Sequence, residues 1–298
     1  MSASASTSGD CLPLAVSSII LTVLALSLGD ALIKLASGSF VIWQIFVLRS
    51  MILLPILTGL ALLLGHLRVP EALGWVAIRS LMLIAMWVSY YLSLPRLSLS
   101  AAAYYTLPIF ITLFSAIFVG DRISKIGWIS VALGFFRVLL ILRPKVGDFN
   151  AYALLPLVSA MLYAGAMIVT RTRCRNEHPL GLSLALNIGF ILVGGVAAAI
   201  IALVPMDVRQ GFLLSPWTPM GKSEWISIGL LAAAILIGCI GAAIAYQNGP
   251  PAMIGAFDFA YVGFAVIWSI VFFNETPDLM ASVGMIMIVV AGVLPLRQ

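Results

Sequence analysis

The chain has 298 residues, 62% of them hydrophobic and only 9% charged, with a formal net charge of +5. A water-soluble domain carries roughly 25% charged residues, so a soluble globule is excluded. The mean hydropathy of +1.15 and pI ≈ 9.3 fit a polytopic membrane protein whose cations lie beside anionic lipid. No basic patch interleaved with aromatics marks a nucleic-acid partner.

A bilayer-spanning helix needs about 20 mostly apolar residues. Such runs fall at 13–34, 40–64, 73–94, 98–120, 124–142, 152–170, 180–204, 224–247, 252–274 and 279–296. Lipid satisfies backbone polar groups only in helices or closed barrels, and these runs lack the alternation of barrel strands. The expected fold class is an all-α membrane protein of ten transmembrane helices. Residues 1–12 read as a disordered tail. The first run is expected to be a span rather than a signal peptide, because no Lys or Arg precedes it and polar Asp30 and Lys34 lie at its far end.

The ten runs divide into a first set at 13–145 and a second at 146–298. Five spans per set force the second copy to enter the membrane upside down, so two inverted five-helix repeats are expected, with a binding site where the halves meet. Tyr91-Leu-Ser-Leu-Pro95, Ala101 and Tyr104 match Tyr246-Gln-Asn-Gly-Pro250, Ala256 and Phe259. After a one-residue slip, Phe114-Ser115 meets Trp268-Ser269, and Gly120-Asp121 meets Asn274-Glu275.

Charges inside spans are costly, about 2.5–3.5 kcal/mol each on insertion scales, and usually face a cavity or a partner. Asp30 and Lys34 share one helix face. Either they meet the ammonium and carboxylate of a solute, or they form an internal ion pair; Asp30 is also a candidate proton carrier. Arg49 reads as a carboxylate ligand or as the partner of a helix acid. Asp258 stands apart from any cation in sequence, which suits proton coupling, ammonium binding or a hydrogen bond to a broken helix. Arg137 reads as a snorkelling or paired cation.

Aromatic residues gather in the same spans: Trp87, Tyr90 and Tyr91, then Tyr104 and Tyr105, Tyr163, Tyr246, Phe257, Phe259, Tyr261 and Trp268. Rings with a few polar groups suit an amphipathic ligand or cation–π contact; the alternative is the interfacial belt, which fits Trp75, Trp128 and Trp225. Candidate substrate-binding residues are therefore Tyr104, Tyr163, Asp258, Asp30, Lys34, Arg49, Trp87, Tyr90 and Tyr261. Pro108 is the leading hinge candidate because proline frees backbone groups within a span, and Gly263 is the second. Pro95 and Pro250 serve equally as helix ends.

Several patterns are absent. Gly221-Lys222-Ser223 lacks the first glycine and the strand of a phosphate-binding loop. His66 and His178 join no metal cluster, and Cys11, Cys174 and Cys239 have neither metal nor disulfide spacing. No nucleophile elbow or zinc-protease helix occurs, which points away from an enzyme.

The chain resembles the EamA-type branch of the drug/metabolite transporter superfamily over nearly its whole length. The resemblance lies in Leu28-Gly29-Asp30-Ala-Leu-Ile-Lys34, Trp43-Gln44 to Leu48-Arg49, Leu99-Ser100-Ala101-Ala102-Ala103 to Pro108, and Gly120-Asp121-Arg122-Ile-Ser124. It continues through Gly127 to Gly134, Tyr163-Ala164 to Arg171, Asn274-Glu275-Thr276, and Gly284 to Gly292. Asp121 stands where the family usually has Glu, and Gly263 where it often has Pro. The resemblance implies ten helices in inverted repeats, no bound cofactor, and export of a small metabolite, with the character of amino-acid exporters, including those for aromatic amino acids. Membrane lipid and a small-molecule solute are the expected partners. The loop cations Arg68, Arg122, Lys125, Arg171, Arg173 and Arg175 favour a cytoplasmic N-terminus, so both termini are expected on the cytoplasmic side of a bacterial inner membrane. Exporters of drugs or other metabolites, and a lipid flippase or membrane-embedded enzyme, are the alternatives.

Overall fold

A computed structural model describes residues 11–36, 40–93, 107–120, 128, 154–205, 209–258 and 260–274. The runs at 124–142 (apart from Trp128) and 279–296 lie outside the described residues, as do Tyr104, Arg137 and the side chains of Lys34 and Pro108. The described chain is all helical. In order come α1 (Leu12–Ala36), α2 (Ile42–Leu63), α3 (Leu73–Ser93) and α4 (Leu107–Phe114), the last continued by a π-helical turn at Ser115–Val119. Then follow α5 (Leu155–Thr172), α6 (Pro179–Leu203), the short α7 (Gly211–Leu214), α8 (Lys222–Asn248), α9 (Pro251–Phe257) and α10 (Ala260–Phe273). Six of them, α1, α2, α3, α5, α6 and α8, are long and apolar enough to cross a membrane. Their outward side chains, among them Leu21, Leu192, Val196, Leu230 and Ile237, are exposed and apolar, as a lipid-facing surface requires.

One feature departs from the sequence expectation. The run at 252–274 is not one helix: it breaks at Asp258 between α9 and α10. The residues before Leu107 in the fourth run lie outside the described residues, and with them the helical setting of Pro108.

Among the described residues the bundle is built from three principal helix pairs, α1 on α8, α3 on α5, and α2 on α6. Lipid tails are as apolar as leucine, so association in a bilayer depends on close packing at small residues. A Cβ on Gly241 would overlap the Thr22 hydroxyl and lie 3.1 Å from the Ser18 carbonyl of α1; one on Gly238 would collide with Leu26. A Cβ on Gly194 of α6 would lie 3.2 Å from the Trp43 carbonyl of α2.

Polar contacts tie the two ends. At one end the Cys11 amide donates to the Asn248 carbonyl (3.1 Å), and Arg171 Nη1 donates to the Gln247 carbonyl (2.9 Å). Gln247 Nε2 reaches the carbonyls of Cys174 (2.8 Å) and Glu177 (2.6 Å), while Glu177 Oε1 accepts from the Ala72 amide (2.7 Å). His66 stacks on His178 at 4.0 Å, so histidines far apart in sequence meet in space. His178 Nδ1 caps α6 by accepting from the Leu180 amide (3.3 Å). Burial, and then the neighbouring His66 imidazole, push His178 below its ordinary value, which favours the neutral ring that can accept this bond. At the other end Trp43 Nε1 donates to the Leu213 carbonyl (2.9 Å). Gln44 both donates to and accepts from the Thr218 backbone, at 2.8 and 3.0 Å.

The glycine seam between α1 and α8 is directly testable. Gly241→Leu forces the helices apart and is expected to lower stability by about 1–3 kcal/mol, read as a lower melting temperature of the purified protein. Gly229→Leu, on the same helix with nothing near its Cβ, should leave it unchanged.

Candidate functional site

Helices α1, α2, α3 and α10 bring together Asp30, Arg49, Trp87, Tyr90 and Tyr261. The Tyr261 hydroxyl donates to Asp30 Oδ2, and the Tyr90 hydroxyl reaches the same oxygen at 3.4 Å. The two phenols lie 3.4 Å apart. Asp30 Oδ1 is buried and has no partner.

Arg49 is linked to this acid through Trp87, which packs edge-on against Tyr90 at 6.1 Å, and it is fully buried, at 0% exposure. Nε, Nη1 and Nη2 all lack a hydrogen-bond partner. Its surroundings are rings: Phe190 at 4.3 Å, Phe46 at 5.0 Å and Trp87 at 5.9 Å from the guanidinium carbon. No ion pair forms between Asp30 and Arg49, and among the described residues the guanidinium nitrogens bond no other group. Of the two sequence readings of Arg49, pairing with a helix acid is therefore not what the described residues show. A cation–π contact supplies about 0.5–2 kcal/mol, whereas an uncompensated buried charge costs about 3–5 kcal/mol. The rings lower the penalty, and the Tyr91 hydroxyl nearby is itself left without a hydrogen-bond partner, so the five N–H donors have no acceptor in hydrogen-bond geometry.

A second acid occupies the break in the ninth run. Tyr246 of α8 donates its hydroxyl to Asp258 Oδ2, and Tyr163 of α5 packs edge-on against Tyr246 at 6.4 Å. The expectation of a bond from Asp258 to a broken helix backbone is thus replaced by a bond to a phenol. The break joins the two clusters, since the Asp258 carbonyl accepts from the Tyr261 amide (3.1 Å). Gly263 stands within the continuous turn of α10, exposed and with nothing near its Cβ; the interruption lies at Asp258 instead.

One intramembrane cation escaped the sequence reading. Arg79 of α3 is 2% exposed; its Nε donates to Thr170 Oγ1 of α5 (2.7 Å), and Nη1 has no partner. The signal was present, because Arg79 lies inside an apolar run just as Arg49 does. A cavity of about 360 Å³ opens elsewhere, among Trp43, Ile201, Arg209 and Trp217. We place the site at the buried charges instead, because Arg209 there is already bonded to the carbonyls of Val204 and Ala202, both at 2.7 Å. Among the described residues no group of His, Cys, Asp and Glu could hold a metal ion.

No protein-family model matches the chain. It is similar to a pseudopaline exporter of Pseudomonas aeruginosa, 25% identical over 281 residues that cover 92% of this chain and 94% of the relative. It is also similar to a riboflavin transporter of Rhizobium johnstonii, 28% identical over 188 residues covering 59% of this chain and 60% of the relative. An uncharacterised transporter of Helicobacter pylori is 22% identical over 210 residues, 70% and 68% of the two chains. A solved crystal structure, 18% identical, aligns with a TM-score of 0.70 over 95% of both chains and supports the fold alone. With the apolar helices, these relatives support a multi-pass membrane protein with a role in transporting a small molecule.

The unpaired state of Arg49 has a measurable consequence. If its charge serves only a ligand, Arg49→Met removes an uncompensated buried cation while keeping most of the volume. We expect the empty protein to gain about 1–4 kcal/mol of stability and to lose solute binding. A clear fall in melting temperature would assign Arg49 to holding the bundle together.

Proposed function

We propose that this chain is a secondary carrier of the EamA-type branch of the drug/metabolite transporter superfamily, exporting amino acids or related amphipathic zwitterions by alternating access. The observation that carries the reading is the buried pair of unmatched opposite charges. Arg49 has no acceptor, and Asp30 keeps one oxygen without a donor. A zwitterion supplies both missing partners at once, its carboxylate to the guanidinium fork and its ammonium to Asp30. Trp87, Phe46, Phe190 and the phenols of Tyr90 and Tyr261 would enclose the apolar part. The reading of an amphipathic solute is also in keeping with relatives named for pseudopaline export and riboflavin transport.

Helix pairing supports the two inverted repeats. α1 begins at the end where Cys11 meets Asn248, whereas α5, the first described helix of the second half, finishes at that end through Arg171. Exchanging the halves would turn the α1–α8 pair into the α5–α3 pair and leave α2–α6 as itself, which is the set of main contacts. The same end carries Arg171, Arg173 and Arg175, which by the positive-inside rule supports a cytoplasmic side for it and for the N-terminus, in keeping with a bacterial inner membrane. Asp258, held by a single phenol at a helix break, is the proposed proton carrier, and that break is a place where the helices can rock. A solute shifts such an equilibrium only by its different affinity for the two states.

The experiment is counterflow of labelled amino acids into proteoliposomes preloaded with unlabelled compound. The expected result is saturable, competed flux absent from empty liposomes. Asp258→Asn should remove the pH dependence of net transport without loss of folded protein. No flux across a broad amino-acid panel would reject the substrate class and move attention to cationic drugs, other metabolites and lipids. Unchanged pH response in Asp258→Asn would reject the proton role.

A further inference from the structure

Arg79 has the chemistry of a binding group that the proposed zwitterion site does not use. It is 2% exposed, and no acidic side chain among the described residues pairs with it. Its one hydrogen bond runs from Nε to Thr170 Oγ1. That hydroxyl is fixed in turn by donating to the Ala166 carbonyl (2.8 Å). Thr170 thus orients the guanidinium without neutralising it, and Nη1 is left with no acceptor. A residue that merely joined α3 to α5 would gain more from an apolar side chain of the same volume, because replacing buried charges by apolar groups is often neutral or stabilising.

Position links Arg79 to the first site. Arg49 packs over Trp87 of α3, and Arg79 lies on the same helix, about 12 Å along the axis at 1.5 Å per residue. α8 packs against both α2, which carries Arg49, and α5, which carries the Thr170 partner of Arg79. Thr170 stands in the last turn of α5, which sets Arg79 toward the end of the bundle that carries Arg171 and Arg173.

We propose that Arg79 is a second anion-binding position on the solute's route, and that the solute carries a second carboxylate joined by a spacer to its amino-acid head. The head engages Arg49 and Asp30, and the distal carboxylate engages Arg79 through Nη1. This rests on the carrier reading above and narrows its substrate class to α-amino diacids and larger zwitterions with more than one carboxylate.

The test compares two probes of equal chain length on the full-length purified protein. One is 2-aminosuberate, an eight-carbon α-amino diacid; the other is 2-aminooctanoate, which has a methyl group in place of the distal carboxylate. Binding is measured by calorimetry and by competition in counterflow. A charge-assisted pair formed in a dry site is expected to make the diacid bind about tenfold or more tightly than the monoacid. Arg79→Gln should bring the diacid down to the monoacid's affinity while leaving the monoacid unchanged. Arg79→Lys keeps the charge but not the fork geometry, and should retain only part of the preference; it serves if Arg79→Gln does not fold. Equal affinities in the wild type, or a preference that survives Arg79 substitution, would overturn the second site and leave the zwitterion site standing. Failure of both probes to bind folded wild-type protein would overturn the second site and the amino-acid reading together.

Discussion

A buried cation without an anion governs the centre of this molecule. Arg49 sits at the meeting of α2, α3 and α6, walled by Phe46, Trp87 and Phe190. Holding a guanidinium there is unfavourable, so the surrounding structure must be strong enough to keep it in place. α2 is fixed to its neighbours above and below the charge. Gln44 and Trp43 bind the loop that carries α7, and Ser50 donates to Asn187 Oδ1 of α6 (3.0 Å). Asn187 is itself anchored to the Ser183 carbonyl (2.9 Å). A strained centre inside a well-tied frame is how binding sites are commonly organised, since stability given up at the site is recovered elsewhere.

The broken ninth run gives the site its second element. α9 ends at Phe257, Asp258 accepts from the Tyr246 hydroxyl, and Tyr261 at the start of α10 reaches Asp30 on α1. Two acids on different helices each receive a phenol, through elements joined by one short break. Movement at that break would be felt at both acids. This geometry is the basis for assigning Asp258 a coupling role in the proposed carrier.

Much of the frame was legible in the sequence. Apolar run length located the long helices to within a few residues, because hydropathy and backbone satisfaction leave few choices in lipid. Arg49, Trp87, Tyr90, Tyr261, Tyr163 and Asp258 were singled out as charges or rings inside spans, and the structure buries all six. What could not be read was who meets whom. Asp258 has no cation near it in sequence, and only tertiary packing shows that its partner is a phenol on α8. The belt and the site cannot be separated by residue type either. Trp75 lies under Arg173 at 4.8 Å near a helix end, while Trp87 lies under Arg49 deep in the bundle. The close approach of α1 to Gly238 and Gly241 was invisible because the facing residues, Leu26 and Thr22, are more than 200 positions away. Arg79 is a different case: its signal was in plain view and was passed over.

The most direct test is to determine the structure of the protein with a solute that it exchanges in counterflow. The account predicts the solute carboxylate on the Arg49 guanidinium, at about 2.7–2.9 Å as for charge-assisted bonds, with the ammonium toward Asp30. A solute bound away from both charges, or an Arg49 neutralised by an acid of its own chain while the solute is held elsewhere, would contradict it.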